Sequence, residues 1–359
     1  MKQEIYSPIP ERTWRWLGVN DTRYSAPTAE VGSYDKNPLA QACPQVSSIE
    51  ALPQPLRELS RRAESAAVSP AAGYVETNRN AGSFIELAVD EQPAEPIFLD
   101  YQLDAANPVL VDEHFIYAHS GSRATVVIAY RGEGAFHRGL TRVCIEPGAE
   151  LHLVKVQLLS TAANHADSVG VYAGKDAKFR FTAVEPGAAE SATTLMIQLA
   201  GDRGEADCEA LYFGDGERRI DMNYILRQQG RQTNASMEVR GALLDRSEKL
   251  FRGTLDFQRG SKGSVGRENE EVVLLSPTVR NRSVPLMLSG EDDVDGHHAV
   301  SVGKMDQEKL FYLMSRGLDL AEAQRLVVEA AFHPVLERVP LDGLRAEIDA
   351  YIQGRLSNG

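Results

Sequence analysis

The stretch EPGAELHLVKVQLLSTAANHADSVGVYAGKDAKFRFTAV, residues 146–184, carries the pattern that decides the fold. Within it "ELHLVKVQLL" and "KFRFTAV" place an apolar side chain at every second position, the period of a half-buried strand. The clusters "EPGAE" (146–150) and "AGKDAK" (173–178) bring Pro, Gly and Asp, which form turns. The texture continues outward from about Gly82 to Gly303. "SFIELAV", "PIFLDYQL" and "ATVVIAYR" precede it; "TTLMIQL", "CEALYF", "DMNYILR", "ASMEVRGALL", "LFRGTLDF" and "EVVLLS" follow. Turn clusters recur at 200–207, 214–219, 244–249 and 259–266. No long helical pattern intervenes, which excludes an alternating βα sheet. A sandwich or a solenoid remains. The repeating turn–strand–strand order favours a β-helix, in which each coil pairs with its neighbours and the ends need caps.

The flanks read differently. Residues 1–48 have little regular pattern; "PERTWRWLGVND" holds Trp14 and Trp16, in a packed arm or a docking turn. Residues 49–69 read as helical after Pro55, with Leu56, Leu59 and Ala63 on one face. From Asp306 to about Leu356 the chain reads as helices. Gly317 can end the first in the left-handed conformation, and Asp319 with Glu322 has capping-box spacing for the second. Ala323, Leu326, Val327 and Ala330 form its expected apolar stripe. Pro340 opens a third, with Leu344, Ile348, Tyr351 and Ile352 on one side. The expected organisation is an arm and helical segment over 1–81, a β-helix core over 82–303 and a helical domain over 304–359.

Bulk properties narrow the function. Of 359 residues, 43% are hydrophobic, enough for a sizeable core, and the net charge of −13 argues against nucleic acid or an anionic membrane as partner. No apolar run is long enough to span a bilayer, and the first twenty residues show no apolar signal segment. Three scattered cysteines, Cys43, Cys144 and Cys208, suit a reducing cytoplasm. There is no P-loop, no G-x-S-x-G elbow, no H-E-x-x-H and no C-x-x-C. The expectation is a cytoplasmic protein that is not an enzyme.

The most specific stretch is "EDDVDGHHAVSVGKMDQEKLFYLMSRGL", Glu291–Leu318. Its acidic "DDV", the His followed by a small residue, then "VGKMD", "FYLMSRG" and the later "EA" and "AF" resemble the C-terminal signature of the SufB/SufD proteins of iron–sulfur cluster assembly. "GALLDRSEKLFRGTLDF" and "EEVVLLS…VPLMLSGEDDV" resemble the segments before it. The resemblance is specific over roughly 235–335 and closer to SufD than to SufB, since no cysteine follows Cys208. It implies a right-handed parallel β-helix with helical segments at both ends. It also implies a SufC-like ATPase and a SufB-like paralogue, or a second copy of the chain, as partners. No cofactor is permanently bound; the implied cargo is a transient iron–sulfur cluster at a subunit interface.

The same resemblance points to His298. Where SufD relatives read Cys-Ser-His-Gly, Gly296 takes the Cys position and His298 the His position, so a metal or cluster role carries over to His298 through its imidazole. The competing reading is a histidine packed at a strand–helix junction. His297, next in an extended chain, points the other way and is a secondary candidate. Cys208 is the other, although a cysteine on an apolar strand is more often a small core residue. Asp292, Asp293 and Asp295 read as a solvated turn before a cation site. His114, His119, His137, His152 and His165 are scattered, and Leu226 and Arg227 stand where relatives often place a histidine. For ATPase docking the candidates are Leu310, Phe311, Leu313 and Met314, too many apolar residues for one narrow helix stripe. Two alternatives stay open: a homodimeric scaffold without a separate paralogue, and a carbohydrate-active β-helix enzyme with paired acids on a groove.

Overall fold

The computed structural model describes residues 3–13, 15–25, 30–66, 69–304 and 307–356; Trp14 and Asp306 fall outside them. The alternating region is a parallel β-solenoid of about eight turns. A short antiparallel pair, β1 (Gln3–Ile5) and β2 (Arg23–Ser25), begins the chain. β3 (Val46–Ser48), α1 (Gln54–Ser60) and α2 (Ser69–Asn78) follow. The solenoid then alternates between two sheets. One holds β4 (Ala81–Leu87), β6 (Val109–Ala118), β8 (Phe136–Ile145), β10 (Asn164–Ala173), β12 (Glu190–Leu199), β14 (Arg219–Gln228), β16 (Glu248–Phe257) and β18 (Arg280–Ser289). The other holds β5 (Ile97–Leu103), β7 (Arg123–Gly132), β9 (Glu150–Leu159), β11 (Lys178–Glu185), β13 (Glu205–Gly214), β15 (Asn234–Leu243), β17 (Ser264–Leu274) and β19 (Val294–Lys304).

Pairing partners within a sheet come from successive coils. Phe181 pairs with Cys208, 27 residues on, and Glu248 with Arg280, 32 on. Alternate side chains point between the sheets and form the main core, which includes Ile128, Leu153, Val171, Ile197, Leu226 and Val239. The turns work as their composition suggests: Asp176, Arg203 and Asp245 take φ of 57, 57 and 58°, and Gly148 takes 73°. Asp tolerates this left-handed region better than most side chains do.

The two ends of the solenoid differ. At the first coil β3 pairs antiparallel with β4, and the Asp100 amide donates to the Pro38 carbonyl at 2.8 Å beside β5. The arm therefore covers both first strands. At the other end, among the described residues, β18 and β19 each pair on one side only, and Met287, Val300 and Val302 are 37, 38 and 47% exposed.

The C-terminal helices are α3 (Gln307–Ser315), α4 (Leu320–Leu336) and α5 (Asp342–Leu356). Gly317 lies at φ 100°, and Asp319 and Glu322 form the expected capping box. α4 and α5 pack on the outer face of the second sheet: Val328, Phe332, Val335, Ile348 and Ile352 meet Val154, Val156, Val184 and Leu211. The α4 stripe differs from the expected one, because Ala323 is buried but Leu326 is 45% exposed. The sheet is met by Val328 and Phe332, and two positions turn a helix by about 200°. Leu56, Leu59 and Ala63 do pack together on the solenoid, but α1 ends at Ser60 and a second helix, α2, follows.

Candidate functional site

The uncovered coil is built from the last strands. Cys208, Met237, Glu268 and His298 are in register on β13, β15, β17 and β19, so by alternation they share the inward side. Cys208 and Met237 are wholly buried in the main core, and burial pushes the Cys208 thiol well above its ordinary value. A buried protonated thiol is a poor metal ligand or nucleophile. His298 is exposed at the end of this column. His297 faces out and pairs with Asp295, its Nε2 2.8 Å from the carboxylate. Sulfur takes the space beside Gly296: a Cβ there would lie 2.7 Å from Met287 Sδ and 3.1 Å from Phe257 Cε2.

Below His298 the interior becomes polar. Glu268 is 3% exposed, neither carboxyl oxygen has a hydrogen-bond partner among the described residues, and burial, with Glu270 nearby, raises its pKa to about 8. Gly253 makes the room across the interior, since a Cβ there would collide with Glu268 Oε1. Glu270 accepts from the Tyr212 hydroxyl at 3.1 Å and pairs with Lys249. Burial lowers the Lys249 pKa to about 8 against the pull of Glu270. The last coils thus hold a protonated carboxyl and a carboxylate–ammonium pair out of water, a costly arrangement for stability alone.

The acidic turn is tied down locally. Glu291 accepts from the Gly260 amide at 3.0 Å, and the Asp293 carbonyl accepts from the Gly263 amide at 2.6 Å. Among the described residues no three His, Cys, Asp or Glu side chains converge to hold a metal. His298 would therefore need further ligands from outside this chain. In α3 the four docking candidates divide: Phe311 and Met314 are 75 and 44% exposed, whereas Leu310 and Leu313 are half-buried. Tyr312, 56% exposed, extends the apolar surface.

A second polar group lies in the first coils and was hidden in the sequence. The histidines read there as scattered do not all remain apart. His114, His137 and His165 meet around Asp112, although His119 lies elsewhere, 2.9 Å from Glu86. The strands that carry them, β6, β8 and β10, are absent from the expected strand set. Their inward positions are Asp112, His114, His137, Thr141, His165 and Asp167, which break the apolar alternation. The usable signal is a pair of polar residues two apart in a run bounded by turns, Asp112 with His114 and, two coils later, His165 with Asp167.

These features define a parallel β-solenoid protein with helices at both ends, polar clusters set into an apolar interior and one uncovered terminal coil. Residues 101–331 match the family described as SUF system FeS cluster assembly, SufBD core domain, and the chain belongs to that family. The iron–sulfur cluster assembly protein SufD of Bacillus subtilis is 24% identical over 282 residues, 77% of this chain and 64% of that protein. An iron–sulfur cluster assembly SufBD family protein of Pyrococcus horikoshii is 26% identical over 247 residues, 68% of this chain and 53% of its own length. One from Mycobacterium bovis is 24% identical over 285 residues, 77% of this chain and 72% of that protein. The chain therefore spans between about half and two thirds of the first two relatives. Among the described residues no helix is long and apolar enough to cross a membrane.

Proposed function

We propose that the chain is a non-catalytic scaffold subunit of the SUF machinery. It pairs through its open end with a SufB-like paralogue or a second copy of itself, and docks a SufC-like ATPase through α3. The observation that carries this reading is the asymmetry of the ends. The arm covers the first coil, while the last coil leaves β18, β19 and three apolar side chains uncovered. Unpaired strand edges in a stable protein are covered, blunted or paired. The exposed Phe311, Tyr312 and Met314 supply the aromatic and Met content of an interface core. His298 would then offer one imidazole nitrogen to an iron–sulfur cluster, handled as cargo, and the partner or sulfide would supply the other ligands.

Light scattering after size exclusion, for the chain alone and with paralogue and ATPase, separates homodimer from heteromer. A chain that remains monomeric in every mixture refutes the scaffold reading. Phe311→Ala with Met314→Ala should abolish ATPase capture while leaving the fold intact. In the anaerobically reconstituted complex, His298→Ala should lose iron and sulfide. Unchanged cluster content would make the histidine structural.

A further inference from the structure

Inside the first coils the Asp112 carboxylate takes three donors. His114 Nε2 lies at 2.7 Å, His137 Nε2 at 2.9 Å and the Tyr130 hydroxyl at 2.8 Å. A carboxylate only accepts, so both imidazoles carry a proton on Nε2. Burial alone would raise the Asp112 pKa, but His137 and His114 outweigh it and hold it well below the usual range. On its other side His137 Nδ1 lies 2.8 Å from His165 Nδ1. Two ring nitrogens at that distance share one proton; two would set N–H against N–H, and none would set lone pair against lone pair. His165 Nε2 is buried without a hydrogen-bond partner among the described residues, 3.8 Å from Glu185 Oε2.

We propose that His137 and His165 form an acid-sensitive clamp between the β8 and β10 coils, which holds one proton between the facing Nδ1 atoms and at most one positive charge. A second charge needs a proton on both Nδ1 atoms and breaks the bridge. The surroundings discourage even the first charge on His165. From β9, Lys155 ion-pairs with Asp167 of β10 at 2.5 Å and donates to Thr141 at 3.0 Å. From β11, Glu185 is raised to about 8 by burial and by Asp167, so at neutral pH it is a neutral acid and no counter-charge. The Tyr101 ring of β5 lies tilted against His114 at 5.7 Å, and the Tyr130 ring of β7 against His137 at 4.0 Å. Tyr224 of β14 and the buried Arg218 act on Glu185 from the next coil. Burial first, then His137 and Lys155, hold the His165 pKa well below its ordinary value.

An unfolded chain can charge both rings, whereas the folded pair takes one charge at most. Below the ordinary imidazole pKa of about 6.5, opening of these coils therefore makes the pair take up at least one proton, a contribution of about tenfold per pH unit to the opening equilibrium, while Glu185, once out of its burial, gives a proton up. Hydrogen exchange over 109–173 of the full chain, corrected for intrinsic rates, reads the pair's share between pH 6 and 5 as the difference in slope between the parent and His165→Asn. His165→Asn keeps a donor toward His137 Nδ1 without a titrating ring and should lose about one proton of the slope. Equal slopes in parent and variant overturn the proposal. Should that variant fail to fold, imidazole nitrogen NMR of the unaltered chain decides. One ring must show the Nδ1–H tautomer at pH 7. Two Nε2–H rings that titrate independently near 6.5 refute the clamp.

Discussion

Replacing Glu268 by Gln tests whether the end of the solenoid holds a carboxyl that stability does not favour. Glu268 is buried under the last coil, faces Gly253 across the interior, and has its pKa raised from 4.5 to about 8. A raised acid keeps its proton in the folded state. Its stabilising contribution is full below the unfolded value of 4.5 and is lost as pH rises through 8. Between pH 4.5 and 7 the loss spans two and a half pH units, about 3 kcal/mol at 1.36 kcal/mol per unit. Gln has nearly the same shape and no proton to lose. Urea unfolding of parent and variant at pH 4.5, 5.5, 6.5 and 7 should show the difference widening in the variant's favour by that amount. Other groups titrate alike in both chains and cancel. Parallel stability curves would refute the reasoning and mean that water or a cation reaches the carboxylate in the folded protein.

Phe332→Ala, at a position 1% exposed between α4 and the outer sheet face, should cost about 3–5 kcal/mol. Limited proteolysis should then release the C-terminal helices before the solenoid. Asp221 accepts from Thr22 at 2.6 Å and from Ser7 at 3.3 Å, and pairs with the buried Arg252. Asp221→Ala should cost about 3–5 kcal/mol by stranding that guanidinium, and speed exchange in residues 6–22. His152 has its pKa lowered to about 4 by burial and then by Arg180 and Arg338. Its contribution is present above the unfolded value of 6.5 and falls away toward pH 4, so His152→Gln should flatten stability over that window by up to about 3 kcal/mol in pH-dependent melts.

Much of this protein was legible from local pattern. Strands such as "ELHLVKVQLL" and "DMNYILR" show an apolar side chain at alternate positions, and Asp176 and Asp245 mark turns because short polar side chains tolerate left-handed backbone. The capping pair Asp319 and Glu322 is a contact within one helical turn and needs nothing else to form. The solenoid ladder is different. Which residues stack depends on coil length, which varies from 26 residues at Asn164–Glu190 to 32 at Glu248–Arg280. Only the wound structure brings His114 and His137 onto one carboxylate with His165 behind His137, or sets Glu268 beneath His298. Their strands also lack the apolar alternation that marks a strand, because their inward side chains satisfy one another across coils rather than joining an apolar core. Likewise Leu326 and Val328 are both apolar in the sequence, and the sheet packed against α4 decides which is buried. Local chemistry determined the strands, turns and caps; the pairing of distant coils determined which polar residues lost water together, and therefore where the charged interior and the uncovered end lie.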